Sequence, residues 1–154
     1  MSNREPILIV EDDLVQQELI ETILNEMPYA LTFVDNTKDA LDAFDKMQYP
    51  VVLCDIYLKG GDSGVEVLKQ LFEREIPPVV VMQTIEGGTR QVIECLRLGA
   101  YDYIVKPIVP NELRKTIERA FDEVHKCMRL RTLEKERARQ LETQQATQRV
   151  AAKR

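Results

Sequence analysis

Four short stretches of the sequence place acidic, hydroxyl or ammonium groups directly after apolar runs. Ile7-Leu8-Ile9-Val10 ends in Glu11-Asp12-Asp13, and Val51-Val52-Leu53-Cys54 ends in Asp55. Val79-Val80-Val81-Met82 passes through Gln83 into Thr84, and Tyr103-Ile104-Val105 ends in Lys106-Pro107. Short continuous runs of Val, Ile and Leu mark buried parallel strands, and ligands of open α/β sheets gather just beyond the carboxyl ends of the strands. Two or three carboxylates converging there with Asp55 repel one another and any phosphate, so the cluster needs a cation before it can hold an anion. Mg²⁺ suits such a site, because it takes one or two carboxylates together with waters and phosphate oxygens. With Lys106 it would offset charge on a transferring phosphoryl group, and the Thr84 hydroxyl could donate to a phosphoryl oxygen. Asp55 is then left as the nucleophile.

Taken singly, these residues have ordinary readings. An acidic triplet at a helix start is often a cap, Lys106 could be a solvated lysine with Pro107 terminating its strand, and Tyr103 could be a half-buried strand aromatic. Glu11-Asp12-Asp13 together with Asp55 and Lys106 is what favours a shared site over four unrelated ones.

The elements that position these residues alternate along the chain. Leu14, Ile20, Ile23, Leu24 and Met27 recur at helical spacing up to Pro28, and Leu31-Thr32-Phe33-Val34 then reads as a strand. Asn36-Thr37 offers an N-cap to a helix carrying Ala40, Leu41, Phe44 and Met47. Lys59 to Gly64 reads as a flexible loop before a helix with Val65, Val67, Leu68, Leu71 and Phe72. A fourth helix carries Val92, Ile93, Leu96 and Leu98 and is capped by Gly99. Five strands alternating with helices predict right-handed crossovers and an α/β, doubly wound parallel sheet.

Composition sets outer limits. At 154 residues and 44% hydrophobic, the chain can bury one real core with an appendage. No apolar run approaches the ~18 residues needed to span a bilayer, and the polar start lacks a signal-peptide core, so a cytoplasmic location without membrane contact is expected. Cys54, Cys95 and Cys127 are odd in number and lack a CxxC pair, which supports neither a disulfide framework nor a zinc site; Cys54 and Cys95 read as small core residues. Residues 1–125 hold 12 basic against 23 acidic side chains, net −11, whereas residues 126–154 hold 9 against 3, net +6. That shift places a boundary near His125, between a body of residues 5–124 and a basic extension of residues 125–154.

The stretches ILIVEDD, VVLC-Asp55, VVVMQ-Thr84 and YIVKP after Leu98-Gly99-Ala100, in this order and spacing, resemble a two-component response regulator receiver domain of the chemotaxis-regulator-like superfamily. The resemblance covers about residues 5–124. It implies a flavodoxin-like sheet of order 2-1-3-4-5 and phosphorylation of Asp55 by the phosphohistidine of a sensor histidine kinase or phosphotransfer protein. It further implies Mg²⁺ bound by Asp12, Asp55 and the backbone carbonyl of Tyr57, with Glu11 acting through water. Thr84 and Tyr103 would form the switch pair, with Lys106 at the phosphoryl group and the Lys106-Pro107 bond a candidate cis peptide. Asp13 is left with the first helix's N-terminus, where its charge suits the dipole. The chain would be a phosphoacceptor and not an enzyme, apart from catalysing its own phosphorylation and dephosphorylation.

Three departures from the family pattern stand out. Lys59 occupies a position usually held by proline, in a loop one residue longer through Gly60-Gly61-Asp62-Ser63. Ile85 fills the usually small position after Thr84. Bulky Tyr57, with Glu86, would flank the path of an attacking water, which predicts a slowly hydrolysed phosphate. Beyond Pro110, the positions Leu113, Ile117, Ala120, Val124 and Cys127 continue into Leu130, Leu133, Ala138 and Leu141 without Gly or Pro. This predicts an extended helix that pairs as a homodimer, although Arg131 and Glu134 break a strict heptad seam. The basic tail has no aromatic residue or motif, so nucleic-acid binding is not expected. Three other readings are weaker. A haloacid-dehalogenase-type phosphatase needs a second Asp where Tyr57 stands. A phosphate-independent pseudo-receiver docking module would not need the acidic pair, Asp55, Thr84 and Lys106. A flavodoxin needs hydroxyl and amide donors at Glu11-Asp12-Asp13.

Overall fold

The computed structural model describes residues 3–85 and 87–153. Five strands, β1 (Glu5–Val10), β2 (Tyr29–Val34), β3 (Val51–Asp55), β4 (Val79–Ile85) and β5 (Asp102–Lys106), form one parallel sheet of order β2-β1-β3-β4-β5. Between and after them lie α1 (Leu14–Leu24), α2 (Thr37–Met47), α3 (Gly64–Phe72), α4 (Thr89–Arg97) and α5 (Pro110–Ala152). The fold is the expected flavodoxin-like α/β arrangement with a long C-terminal helix.

Strand alternation divides the core in two. Ile7, Ile9, Val51, Leu53, Val81 and Ile104 face α1 and α5, where they meet Ile20, Leu24, Leu113, Ile117 and Phe121. Leu8, Val10, Val52, Cys54, Val80 and Met82 face α2, α3 and α4, where they meet Phe44, Val67, Leu68, Leu71 and Cys95. Both faces of the central strands are therefore buried, which is why their sequences are apolar runs and not alternations. Tyr29 stacks on Phe121 with ring centroids 4.8 Å apart, tying the start of β2 to α5.

Three helices start at side-chain caps. Asp13 accepts from the Val15 and Gln16 amides, Asn36 from that of Asp39, and Ser63 from that of Val65. Differences from the sequence expectations are local. α1 stops at Leu24, leaving Met27 to pack on the core from the following turn, and β2 begins two residues early because Tyr29 is drawn under Phe121. In α4 the inward residues are Val92 and Cys95, while Ile93 and Leu96 are exposed. The loop after β3 forms a 3₁₀ turn at Lys59–Gly61, closed by a bridge between Tyr57 and Ser63.

α5 runs unbroken for 43 residues, about 65 Å at 1.5 Å per residue. Its last residue in the core is Phe121, and Leu130, Leu133 and Leu141 are all exposed. Among the described residues, no helix is long and apolar enough to cross a membrane.

Candidate functional site

The parallel register brings Glu11, Asp55 and Lys106 to one end and one face of the sheet. Each follows in alternation the strand residues that face α1 and α5. Glu11 and Asp55 are 1% and 6% exposed, a costly place for two like charges unless a cation joins them. Lys106 is that cation. Its Nζ donates to Glu11 Oε2 at 2.9 Å and to Asp55 Oδ2 at 2.5 Å. The Asp13 amide donates to Glu11 Oε1 at 3.1 Å, and the Tyr57 amide donates to Asp55 Oδ1 at 3.0 Å.

Burial raises the pKa of the Glu11 carboxyl, although the hydrogen bonds from Lys106 and Asp13 act against it. For Lys106, burial acts to lower the pKa, but hydrogen bonds to Asp55 and Glu11 more than offset it and the ammonium is held above its ordinary value.

The other members of the acidic triplet do different things. Asp13 is spent on capping α1. Asp12 turns outward, where its Oδ2 accepts from the Lys59 amide and pins the 3₁₀ turn over the site. Thr84 lies one residue beyond the Asp55 row, its side chain 2% exposed and its hydroxyl donating to the Ile85 carbonyl at 3.2 Å. Tyr103 lies on the α4 face of β5, partly open to solvent, as do Tyr57 and Ile85 at the mouth of the site. Lys106-Pro107 is cis. Glu86, expected to flank the water path with Tyr57, lies outside the described residues.

Two glycines and one glutamine belong to this environment and were not singled out in the sequence. A Cβ on Gly64 would lie 1.9 Å from the Asp55 carbonyl oxygen, so α3 can start against the end of β3 only with glycine there. A Cβ on Gly88 would lie 2.3 Å from Thr84 Oγ1, so α4 closes on that hydroxyl in the same way. Gln83 is the third, with its side chain buried beside Asp55 in the neighbouring strand. Its one sequence signal was a polar residue inside an apolar strand.

The donor set fits a hard, oxygen-seeking cation. All the side chains that converge on Lys106 are carboxylates, and among the described residues no group donates to the Tyr57 carbonyl beside them, since the turn closes through Leu58 to Asp62 and Gly64 to Ile56. No three His, Cys, Asp or Glu side chains among the described residues are gathered closely enough to hold a metal by themselves, because Asp12 is turned to Lys59. A six-coordinate ion completed by waters does not need three.

Comparison with known proteins agrees with this fold. The chain is 31% identical over 116 residues to the transcriptional regulatory protein ZraR of Klebsiella oxytoca, covering 74% of this chain and 26% of that protein. It is 27% identical over 120 residues to the transcriptional regulatory protein FixJ of Bradyrhizobium diazoefficiens, covering 78% and 58%. The chain thus spans less than two thirds of the length of these relatives. Among solved structures, the receiver domain of NtrX from Brucella abortus superposes with a TM-score of 0.72 at 28% identity, covering 75% of this chain and 98% of that one. The chemotaxis response regulator CheY4 of Vibrio cholerae, at 22% identity and a TM-score of 0.69, shares the fold. The model of the response regulator receiver domain matches residues 7–118, from the first residues of β1 into α5, and so takes in every strand end described above. The chain therefore belongs to the response regulator receiver domain family of two-component signalling.

Proposed function

We propose that this receiver is a Mg²⁺-dependent phosphoacceptor switch in which Asp55 takes the phosphoryl group from a phosphohistidine of a sensor histidine kinase or phosphotransfer protein. A carboxylate oxygen of Asp55 attacks phosphorus, the P–O bond forms as the P–N bond breaks, and the electron pair leaves with the imidazole. The observation that carries this reading is the buried Glu11–Lys106–Asp55 triad at the carboxyl end of the sheet, which holds one ammonium where phosphoryl charge would develop. Mg²⁺, held by Asp12, Asp55 and the Tyr57 carbonyl with Glu11 through water, would neutralise further charge there. Lys106 exchanges its carboxylate partners for a phosphoryl oxygen, and the Thr84 hydroxyl turns from the Ile85 carbonyl to do the same. Tyr103, on the adjoining strand, then reports the change toward α4 and α5. The test is exposure of the full chain to acetyl phosphate and Mg²⁺, followed by intact mass. A gain of one phosphoryl group is expected, and none overturns the reading.

The metal roles are separable by mutation. Asp12→Ala is expected to weaken Mg²⁺ binding by about tenfold or more, since a charged ligand is lost. Asp13→Ala should leave Mg²⁺ affinity nearly unchanged and cost about 1 kcal/mol of stability through the lost N-cap. Equal losses in a Mg²⁺ titration would mean that the two roles are misassigned.

The output we propose is a homodimer through α5. Leu130, Leu133 and Leu141 are exposed on the part of α5 that extends past the core, and most helical stability in proteins comes from packing an apolar face against a partner. Closed two-fold pairs are the commonest assembly. In sedimentation, the full chain should dimerise and a form ending at His125 should not, with beryllofluoride changing the dimer's strength. Monomers for both forms in all conditions would exclude α5 as the dimer element.

A further inference from the structure

Gln83 is fully buried, and neither its Oε1 nor its Nε2 has a hydrogen-bond partner among the described residues. A buried amide without partners is a standing cost that an apolar side chain of similar size would avoid, as Val79 and Val81 do on the same face of the same strand. Its place in the fold suggests why the cost is borne. β4 pairs Gln83 with Asp55 on one side and Ile104 on the other, and alternation puts Gln83 on the face shared by Glu11, Asp55 and Lys106. Lys106 is rooted on β5 yet reaches Asp55 on β3 and Glu11 beyond β1, so its side chain must cross β4 on that face. Gln83 is the β4 residue of that face in the Asp55 row. The ammonium has three N–H donors, of which Glu11 and Asp55 take two.

We propose that Gln83 is a positioning residue for phosphoryl transfer, whose amide oxygen takes an N–H of Lys106 once the ammonium leaves Glu11 for the phosphoryl group. The amide oxygen is then unpaired in the resting protein and paired in the phosphorylated one. That difference favours the phosphorylated state by destabilising its competitor, which is all that a bias on a two-state equilibrium requires. The inference rests on the phosphoacceptor reading above.

The test is Gln83→Met, which keeps the volume and removes the amide, in the full chain beside wild type and Asp55→Asn. Thermal melting without Mg²⁺ should show an unchanged Tm or a rise of about 2–4 °C, because an unpaired polar group is replaced by a well-packed apolar one. Beryllofluoride affinity at saturating Mg²⁺, followed by ¹⁹F NMR, should fall about tenfold, the worth of one hydrogen bond to a charged group. Mg²⁺ affinity alone should not change. A lower Tm with unaltered beryllofluoride affinity would make Gln83 a structural residue satisfied in the resting core and overturn the proposal. A parallel fall in Mg²⁺ and beryllofluoride affinity would mean general distortion of the site and overturn it equally. Failure of wild type to bind beryllofluoride at Asp55 would instead remove the phosphoacceptor reading, and the inference with it. Wild-type binding that Asp55→Asn abolishes and Gln83→Met leaves intact would remove this inference only.

Discussion

Asp55→Asn is expected to take up no phosphate from acetyl phosphate and Mg²⁺ under conditions in which the unaltered chain gains one phosphoryl group by intact mass. An amide oxygen cannot form the acyl phosphate, so the expected loss is complete and not a matter of degree. The surroundings of Asp55 make the result interpretable, because the variant should fold. The Tyr57 amide donates to Asp55 Oδ1, and an asparagine oxygen at that position can accept the same hydrogen bond. Lys106 keeps its ion pair with Glu11 at 2.9 Å, and one negative charge leaves a buried site that holds two for a single ammonium. Thermal melting should therefore place Asp55→Asn close to the unaltered chain, separating lost chemistry from lost structure. Unchanged phosphate incorporation in a folded Asp55→Asn protein would sink the assignment of the acceptor.

The sheet could be read from the sequence because its central strands are buried on both faces, which leaves runs such as Val51 to Cys54 with no polar interruption before Asp55. The same burial made the ends of those runs the natural places to look for charge. Positions set by tertiary packing could not be read this way. Cys95 turns inward in place of Ile93 and Leu96 because α4 meets the sheet on the side of Val80 and Met82, and nothing local to that helix announces it. β2 starts at Tyr29 because of a ring on α5, more than ninety residues away. The acidic triplet was readable only in part. Asp13 at the start of α1 was legible as a helix-terminus charge, but nothing local showed that Asp12 would hold the Lys59 turn and Glu11 would share Lys106 with Asp55. Gln83 was visible as a polar break in an apolar strand, but only the register shows that it stands beside Asp55.

Replacing Lys106 with methionine should produce a large loss of stability. Methionine keeps most of the buried stem but leaves Glu11 and Asp55 facing each other with no cation between them. Removing one partner of a buried ion pair costs about 3–5 kcal/mol, because the remaining charge stays desolvated. For a chain of this size that corresponds to a fall in Tm of roughly 10 °C. The dependence on pH distinguishes this cause from simple loss of packing. The Lys106 pKa is raised on folding, so its contribution is fully present below the unfolded value of 10.5 and is lost only as pH rises through the folded value. The whole deficit of Lys106→Met is thus displayed at neutral pH. Glu11 carries the opposite lever. Its carboxyl is already pushed up by burial, and without Lys106 it loses the interactions that pull it back down. A carboxyl whose folded pKa lies above its unfolded one destabilises the native state as pH rises past 4.5, and that loss is relieved as pH falls. The gap in Tm between the unaltered chain and Lys106→Met should therefore narrow steadily from pH 7 toward pH 5. At neutral pH, Mg²⁺ should raise the Tm of the variant more than that of the unaltered chain, since only in the variant do the two carboxylates lack a cation of their own. A gap that is the same at both pH values and indifferent to Mg²⁺ would show that Lys106 contributes packing and not charge, and the electrostatic account of the triad would have to be abandoned.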